Sequence, residues 1–131
     1  MKIFIKIIFL FCLFLILNVN KTIAQEKIKI GLLVPLTGEN SEIGKSIIKS
    51  VRLAINKIDN SVIEIIPKDT GSNPQTTLKN ALNMKEEGIK IIIGPVFNKN
   101  LIYLDEVKDV FFLSLTNKII KNPKNIISAG I

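Results

Sequence analysis

The feature that most constrains the fold of this chain is an apolar segment that runs through a short loop into an amphipathic helix. Residues 27–34 are almost continuously apolar, and residues 35–38 read Pro-Leu-Thr-Gly. Such a run is typical of a parallel strand covered on both faces. In residues 41–59, apolar side chains recur at spacings of three and four, which predicts a helix with one apolar stripe. The stripe consists of Ile43, Ile47, Val51, Ala54, Ile55 and Ile58. This order opens a βαβ unit.

The same alternation continues to the end of the sequence. Asn73 and Pro74 have the pattern of an N-cap followed by proline at the first helical position, and Leu78, Ala81, Leu82 and Met84 are expected to face inward. The further predicted strands are residues 62–67, 89–93, 110–115 and 126–131, and the further predicted helices are residues 74–87 and 98–108. The pattern predicts an α/β three-layer sandwich, with a parallel Rossmann-like sheet between helices.

Residues 1–24 have the three parts of a secretory signal peptide. Lys2 and Lys6 make the start positive, residues 7–17 are uninterruptedly apolar, and residues 22–24 read Thr-Ile-Ala, a plausible cleavage site. The apolar run is shorter than the roughly 20 residues that span a bilayer, which makes an uncleaved anchor the less favoured alternative. We therefore expect a secreted, periplasmic protein that contacts the membrane only through this segment.

The composition argues against catalysis. The chain has no histidine, and its single cysteine, Cys12, lies inside the apolar run of the signal rather than after it, where a lipidated cysteine would be. Residues 25–131 therefore lack an imidazole and a thiol, which excludes a Ser-His-Asp triad and a zinc-thiolate site. The acidic pairs Glu86-Glu87 and Asp105-Glu106 fall in predicted helices, where adjacent residues do not face each other. We expect no enzyme activity, no metal and no cofactor.

Basic residues do not form a nucleic-acid surface. The formal net charge is +7, but the lysines are spread along the chain, Arg52 is the only arginine, and no aromatic residues alternate with them. A clustered basic patch would be expected of a nucleic-acid-binding protein. No nucleic-acid partner is predicted.

A glycine-rich segment after the first strand resembles a phosphate-binding loop without matching it. Five residues separate Gly38 from Gly44, whereas the P-loop motif has four. Glu39 and Glu42 would also repel phosphates. The alternative is that Gly44 lets the helix approach a neighbouring segment closely.

Polar residues follow the predicted strands at the edge where ligands bind in parallel sheets. Asp69 either orients a ligand or a loop, or is a turn residue whose carboxylate accepts hydrogen bonds from nearby backbone N–H groups; the turn alternative is favoured. Ser114, Thr116 and Asn117 either contact a ligand or cap the turn that follows. The residues alone leave that second choice open.

Four segments in register resemble the N-terminal lobe of a type 1 periplasmic binding protein, the class that includes leucine-binding proteins. They read Ile-Gly-Leu-Leu-Val-Pro-Leu-Thr-Gly at 30–38, Pro-Lys-Asp-Thr-Gly at 67–71, Ile-Gly-Pro-Val-Phe at 93–97 and Leu-Ser-Leu-Thr-Asn at 113–117. Within that class the sequence is most similar to the penicillin-binding protein activator branch. The resemblance implies a two-lobed protein with a cleft, of which residues 25–131 form the N-terminal lobe of a truncated product.

The resemblance also implies candidate ligand-binding positions and partners. Transport members hold a free amino acid with backbone and hydroxyl groups after the strands and place a serine-rich stretch after the third strand; here residues 97–100 read Phe-Asn-Lys-Asn, closer to the activator branch. The implied function is a non-enzymatic regulator of cell-wall synthesis with a peptidoglycan synthase as partner. The alternative is the substrate-binding component of an ABC transporter, with an amino acid or similar polar solute and a permease. The candidate positions are Thr37, Ser41, Asp69, Asn98, Ser114, Thr116 and Asn117.

Overall fold

The computed structural model describes residues 1, 3–7, 26–58, 62–118 and 124–130. Residues 3–7 are helical, whereas residues 2 and 8–24 of the predicted signal, with its cleavage site, lie outside the described residues. Within these ranges, no helix combines the length and the apolar character that crossing a bilayer requires.

After the helical residues 3–7, the described part of the chain alternates five strands with two α-helices, which confirms the predicted α/β class. The strands are β1 (Ile28–Val34), β2 (Ile63–Asp69), β3 (Ile91–Ile93), β4 (Phe111–Ser114) and β5 (Ile126–Ser128). The helices are α1 (Ser41–Ile58) and α2 (Pro74–Glu86), and two short 3-10 helices, Asn98–Leu101 and Leu104–Glu106, connect β3 to β4.

The strands form one parallel sheet in the order β2-β1-β3-β4-β5. Ile30 lies beside Ile91, which in turn lies beside Phe111, so the three central strands share one register. The chain passes from β1 to β2 on one side of β1 and then from β2 to β3 on the other side. Because crossovers of this kind are right-handed, α1 and α2 lie on opposite faces of the sheet. The predicted parallel sheet with helices on both faces is therefore confirmed.

One face of the sheet, here called the closed face, carries the main hydrophobic core. Leu33, Ile92 and Phe112 point from three adjacent strands towards α2 and the 3-10 helices and are at most 1% exposed. Ala81 and Met84 of α2 are fully buried against them. The core is completed by Ile89, Leu101, Leu104, Val107 and Val110.

The opposite face, here called the open face, is only partly covered by α1. Strand side chains alternate between faces, so Ile91, Phe111, Leu113 and Ile127 project away from the core, and they are 48, 56, 36 and 60% exposed. Gly44 is the only buried residue of α1. A cavity of about 400 Å³ lies between α1 and the sheet, with Ile47 and Ile93 among its lining residues.

Gly44 confirms the close approach proposed from the sequence. A Cβ at this position would collide with the carbonyl oxygen of Pro35. Residue 44 must therefore be glycine for α1 to pack directly against the end of β1.

Several side chains that were predicted to face inward are exposed, so those predictions were wrong. Leu82 is 42% exposed, and of the α1 stripe Ile43, Ala54 and Ile58 are also exposed. The spacing of the stripe is helical, but α1 packs mainly over β1 and β2, and these three side chains remain accessible to solvent.

The predicted helix 98–108 is instead two 3-10 stretches. Leu101, Leu104 and Val107 are all buried, and their spacing of three aligns side chains on one side of a 3-10 helix. The core therefore favours the tighter geometry over a continuous α-helix.

Candidate functional site

The loops that follow β1, β2, β3 and β4 meet at one edge of the sheet, because all the strands are parallel. Thr37 follows β1, which lies between β2 and β3, so it is flanked by Asp69 at the end of β2 and by Asn98 after β3. Ser114 ends β4, and Thr116 and Asn117 follow it, on the far side of β3. The topology therefore brings all the predicted positions to the same edge, in two groups.

Asp69 joins the loop after β1 to the loop after β2. Its Oδ1 accepts hydrogen bonds from the backbone N–H groups of Leu36 (2.6 Å), Thr37 (3.3 Å) and Gly71 (2.8 Å). Its Oδ2 accepts a hydrogen bond from the Thr37 hydroxyl at 2.5 Å. From α2, Asn80 donates to the Asp69 carbonyl oxygen at 2.7 Å. The carboxylate thus orients the loop after β1, as one alternative from the sequence predicted. It also accepts a hydrogen bond from the nearby Gly71 N–H, as the turn alternative predicted.

The ionised form of Asp69 is favoured by these contacts. Partial burial raises the pKa of Asp69, but hydrogen bonds from the Thr37 hydroxyl and from the N–H groups of Leu36, Gly71 and Thr37 lower it, and the resulting pKa is below its ordinary value. Hydrogen bonds to the charged form of a carboxyl group have this effect. The Thr37 hydroxyl uses its only proton on Asp69, so towards a ligand it can act only as an acceptor.

The N-termini of both helices are ordered by short polar contacts near Asp69. Asn73 caps α2 by accepting a hydrogen bond from the Thr76 N–H at 2.9 Å, which confirms the predicted cap. Asn40, just before α1, donates to the Ser72 hydroxyl at 3.2 Å. Ser41 begins α1, and its side chain has no hydrogen bond to another described residue.

Ser114 and Thr116 are turned into the protein. Ser114 is fully buried, its hydroxyl lies 3.5 Å from the Pro95 carbonyl oxygen, and it accepts a hydrogen bond from the Thr116 N–H at 3.3 Å. Thr116 is 8% exposed and accepts from the Lys118 N–H at 3.3 Å. Ser128 donates a short hydrogen bond to the Thr116 carbonyl oxygen. These hydroxyls shape the turn after β4 and secure β5.

Asn98 and Asn117 are two predicted positions whose side chains remain available at this edge. Asn98 is half-buried at the start of the first 3-10 helix, and Asn117 is exposed. Neither side chain makes a hydrogen bond within the described part of the chain. Together with the Ser41 hydroxyl, they are the predicted positions whose polar atoms are free to meet a ligand or a partner.

Two features were not anticipated from the sequence. Leu36 contributes its backbone N–H to Asp69, and a backbone contact across 33 positions leaves no signal in residue type. Asn100 is 1% exposed, and both polar atoms of its side chain lack partners among the described residues. A buried amide without partners costs stability, and residue type alone would have assigned Asn100 to the surface.

Metal chemistry finds no support in the described ranges. No group of three or more His, Cys, Asp or Glu residues there is placed to hold a metal ion. The predicted positions at this edge offer hydrogen bonding by two amides, one hydroxyl and the acceptor side of the Thr37 hydroxyl.

Comparison with known proteins agrees with this geometry. A family model described as periplasmic binding protein matches residues 27–117, which include all four segments that carried the resemblance. No curated protein matches the chain.

Solved structures with the same fold include both regulators and solute receptors. The C-domain of LpoA from Haemophilus influenzae, a regulator of PBP1A, is 28% identical with a TM-score of 0.59, over 69% of this chain and 28% of that one. The leucine-binding protein LivK from Thermotoga maritima is 18% identical with a TM-score of 0.67, over 76% and 31%. A solute-binding protein of an ABC transporter from Rhodopseudomonas palustris, in complex with 3,4-dihydroxybenzoic acid, is 24% identical with a TM-score of 0.64, over 69% and 27%.

These proteins are binding proteins and a regulator rather than enzymes, and their family indicates an extracytoplasmic location. The chain matches less than a third of the length of each. With its parallel sheet, its strand order and a family match over residues 27–117, the chain belongs to the periplasmic binding protein family and has the fold of one lobe of a type 1 member.

Proposed function

We propose that this chain is a non-enzymatic regulator of cell-wall synthesis that acts by contacting a peptidoglycan synthase, in the manner of penicillin-binding protein activators. The observation that carries the proposal is how the polar groups at the strand ends are used. The hydroxyls of Thr37, Ser114 and Thr116 and the Asp69 carboxylate all have partners inside the lobe. A solute receptor needs several convergent polar groups that are free to bind its ligand.

The residues after β3 support the same proposal. Val96 and Phe97 precede the first 3-10 helix, and Asn98 opens it, where transport members place serines. The 28% identity to the C-domain of LpoA, a regulator of PBP1A, adds sequence likeness to fold likeness. Exposed amides such as Asn117 suit hydrogen bonding at the polar rim of a protein interface.

The first test measures whether a peptidoglycan synthase binds this protein and responds to it. The purified chain is immobilised, and a bifunctional peptidoglycan synthase from the same organism is passed over it while the rate of glycan polymerisation is followed in solution. We expect saturable binding and a faster polymerisation rate. A synthase that neither binds nor responds contradicts the proposal.

An ABC-transporter receptor is the second candidate, favoured by the TM-score of 0.67 to a leucine-binding protein. Under this alternative, a panel of amino acids and aromatic acids would raise the melting temperature of the chain. Asn117→Arg at the strand-end edge would abolish that increase, whereas Asn56→Arg, an exposed position on α1, would leave it intact. A solute response with this pattern, without synthase binding, would replace the regulator proposal.

Export and domain organisation belong to the same proposal. Residues 1–24 are proposed as a cleaved signal peptide and residues 25–131 as the N-terminal lobe. The test is N-terminal sequencing of the protein recovered from the cell envelope. Sequence starting at Gln25 is expected, and recovery of an intact Met1 terminus would contradict cleavage.

A further inference from the structure

The outer side of α2 carries a stripe of exposed residues that the strand-end edge does not use. Gln75, Lys79, Leu82 and Glu86 are spaced by four, three and four, so they share one side of the helix, and all four are exposed. They border a groove of about 550 Å³ whose other wall includes Tyr103. A leucine that is 42% exposed sits at the middle of this stripe.

The two charged residues of the stripe lack partners among the described residues. Lys79 and Glu86 form no ion pair with any residue in the described ranges, although other residues near them are paired, with Lys68 3.0 Å from Glu87 and Lys85 3.9 Å from Asp109. Lys79 and Glu86 stand seven residues apart, which is about 10 Å along the helix axis. Opposite charges therefore flank Leu82 at nearly equal distances.

This arrangement is self-complementary under a two-fold rotation. When two α2 helices pack antiparallel with Leu82 near the axis, Lys79 of each copy faces Glu86 of the other. A parallel arrangement would instead place like charges together, which is unfavourable. A two-fold interface uses the same patch on both subunits, and a stripe with one positive and one negative end meets that requirement.

We propose that the α2 stripe, with the groove beside it, is the docking surface for a second copy of this chain. Leu82 of each copy enters the groove of the other, between Leu78 and Tyr103, and the two Lys79–Glu86 contacts set the antiparallel direction. Burial of Leu82 supplies the attraction, and the charges supply specificity. The interface lies on the side of α2 away from the sheet, so the strand-end edge stays accessible in the dimer.

Charge reversal tests the proposal directly. Sedimentation velocity over a concentration series gives the dimer dissociation constant for the unaltered chain, Lys79→Glu, Glu86→Lys and the double variant that carries both changes. Each single reversal creates two like-charge contacts and is expected to weaken the dimer about tenfold or more, whereas the double variant restores complementarity to within about threefold. Lys49→Glu on α1 is the matched control, because Lys49 is exposed and forms no ion pair with another described residue, and it leaves the constant unchanged.

A crosslinking experiment locates the axis independently of charge. In a Cys12→Ser background, Leu82→Cys places a thiol near its own symmetry mate and is expected to form a disulfide-linked dimer on mild oxidation. Leu53→Cys, a leucine that is 70% exposed on α1, stays monomeric at the same concentration. A chain that sediments as a monomer throughout, or a dimer that is indifferent to both single reversals, would overturn the proposal.

Discussion

The open and closed faces of the sheet carry similarly apolar side chains but are covered to different extents. Phe111 and Phe112 are neighbours on β4, yet Phe111 is 56% exposed and Phe112 only 1%. The closed face has α2, two 3-10 helices and the segments around them packed on it, whereas the element that covers the open face in the described part of the chain is α1, mainly over β1 and β2. The pattern of apolar residues therefore indicates which surfaces are suited to burial. The number of elements that pack on each surface determines which of them are buried.

The largest expected difference is between Phe112→Ala and Phe111→Ala. Removing a buried phenylalanine side chain leaves a cavity in the core, and we expect Phe112→Ala to lower the free energy of unfolding by about 3 to 5 kcal/mol. Phe111→Ala removes a side chain that is already in contact with solvent and should cost less than about 1 kcal/mol. Urea unfolding of both variants measures the difference, and equal losses would mean that the two faces are buried alike.

Gly44→Ala tests the close contact between α1 and Pro35. The added methyl group collides with the Pro35 carbonyl oxygen, so α1 must shift away from β1, at a cost of about 1 to 3 kcal/mol. Ser46→Ala, two residues away on the exposed side, is the control and should change stability by less than about 0.5 kcal/mol. If Gly44→Ala proves neutral or stabilising in urea unfolding, then α1 does not rest on Pro35 as described.

Asp69→Asn tests the contact that joins the loops at the strand ends. Asparagine can still accept hydrogen bonds but has no charge, and we expect a loss of about 1 to 2 kcal/mol at pH 7. Glu39→Gln is the matched control, because Glu39 is exposed and has no partner in the described residues. A loss no greater than that of the control would show that the carboxylate charge is not needed for loop order.

The same pair of proteins gives a pH dependence. Because the pKa of Asp69 is lower in the folded state, its stabilising contribution is present above the ordinary carboxyl pKa of about 3.9. It is lost as the pH falls through the folded-state pKa. The gap in unfolding free energy between the unaltered chain and Asp69→Asn should therefore narrow below about pH 4. A gap that stays constant from pH 7 to pH 3 would contradict the lowered pKa.

The smallest effect on stability is expected at the open face itself. Ile127→Thr keeps the β-branched shape that suits a strand and changes a side chain that is 60% exposed, so the unfolding free energy should move by less than about 0.5 kcal/mol. Binding of a hydrophobic dye such as ANS should fall, since the exposed apolar area is smaller. Unchanged dye binding would mean that the accessible apolar surface lies elsewhere. Ile126→Thr is the comparison variant, because the neighbouring Ile126 is partly buried and its replacement should destabilise the fold.

Much of the fold was predictable because it depends on local pattern. The alternation of apolar runs with helical spacing predicted five strands and both α-helices, and Asn73-Pro74 marked the start of α2 with a cap that the structure contains. The predicted ends of the strands differ from the observed ends by up to three residues, the largest difference being at the end of β5. Residues 98–108 were assigned the wrong helix type because the choice between α and 3-10 geometry depended on the core beneath Leu101, Leu104 and Val107.

The position of the candidate site was predictable from the sequence, but the hydrogen-bonding state of its polar side chains was not. Parallel strands bring their carboxyl ends to one edge, so the loops that hold Thr37, Asp69 and Ser114 could be grouped from the sequence. Which polar atoms stay free could not be read from residue type. Ser114 and Asn117 look alike as polar residues after a strand, yet one is buried and the other exposed.

By itself, the sequence determined the class of fold, the family and the edge of the sheet where polar groups gather, because periodicity, caps and turn residues act over a few positions at a time. Only the tertiary structure decided that Asp69 binds Leu36 and Thr37, that Ser114 and Thr116 face inward, and that Leu82 is exposed between Lys79 and Glu86. Those outcomes depend on contacts between segments that are tens of residues apart in the sequence. Hydrogen-bond partners and burial are properties of such contacts, and a single residue type does not encode them.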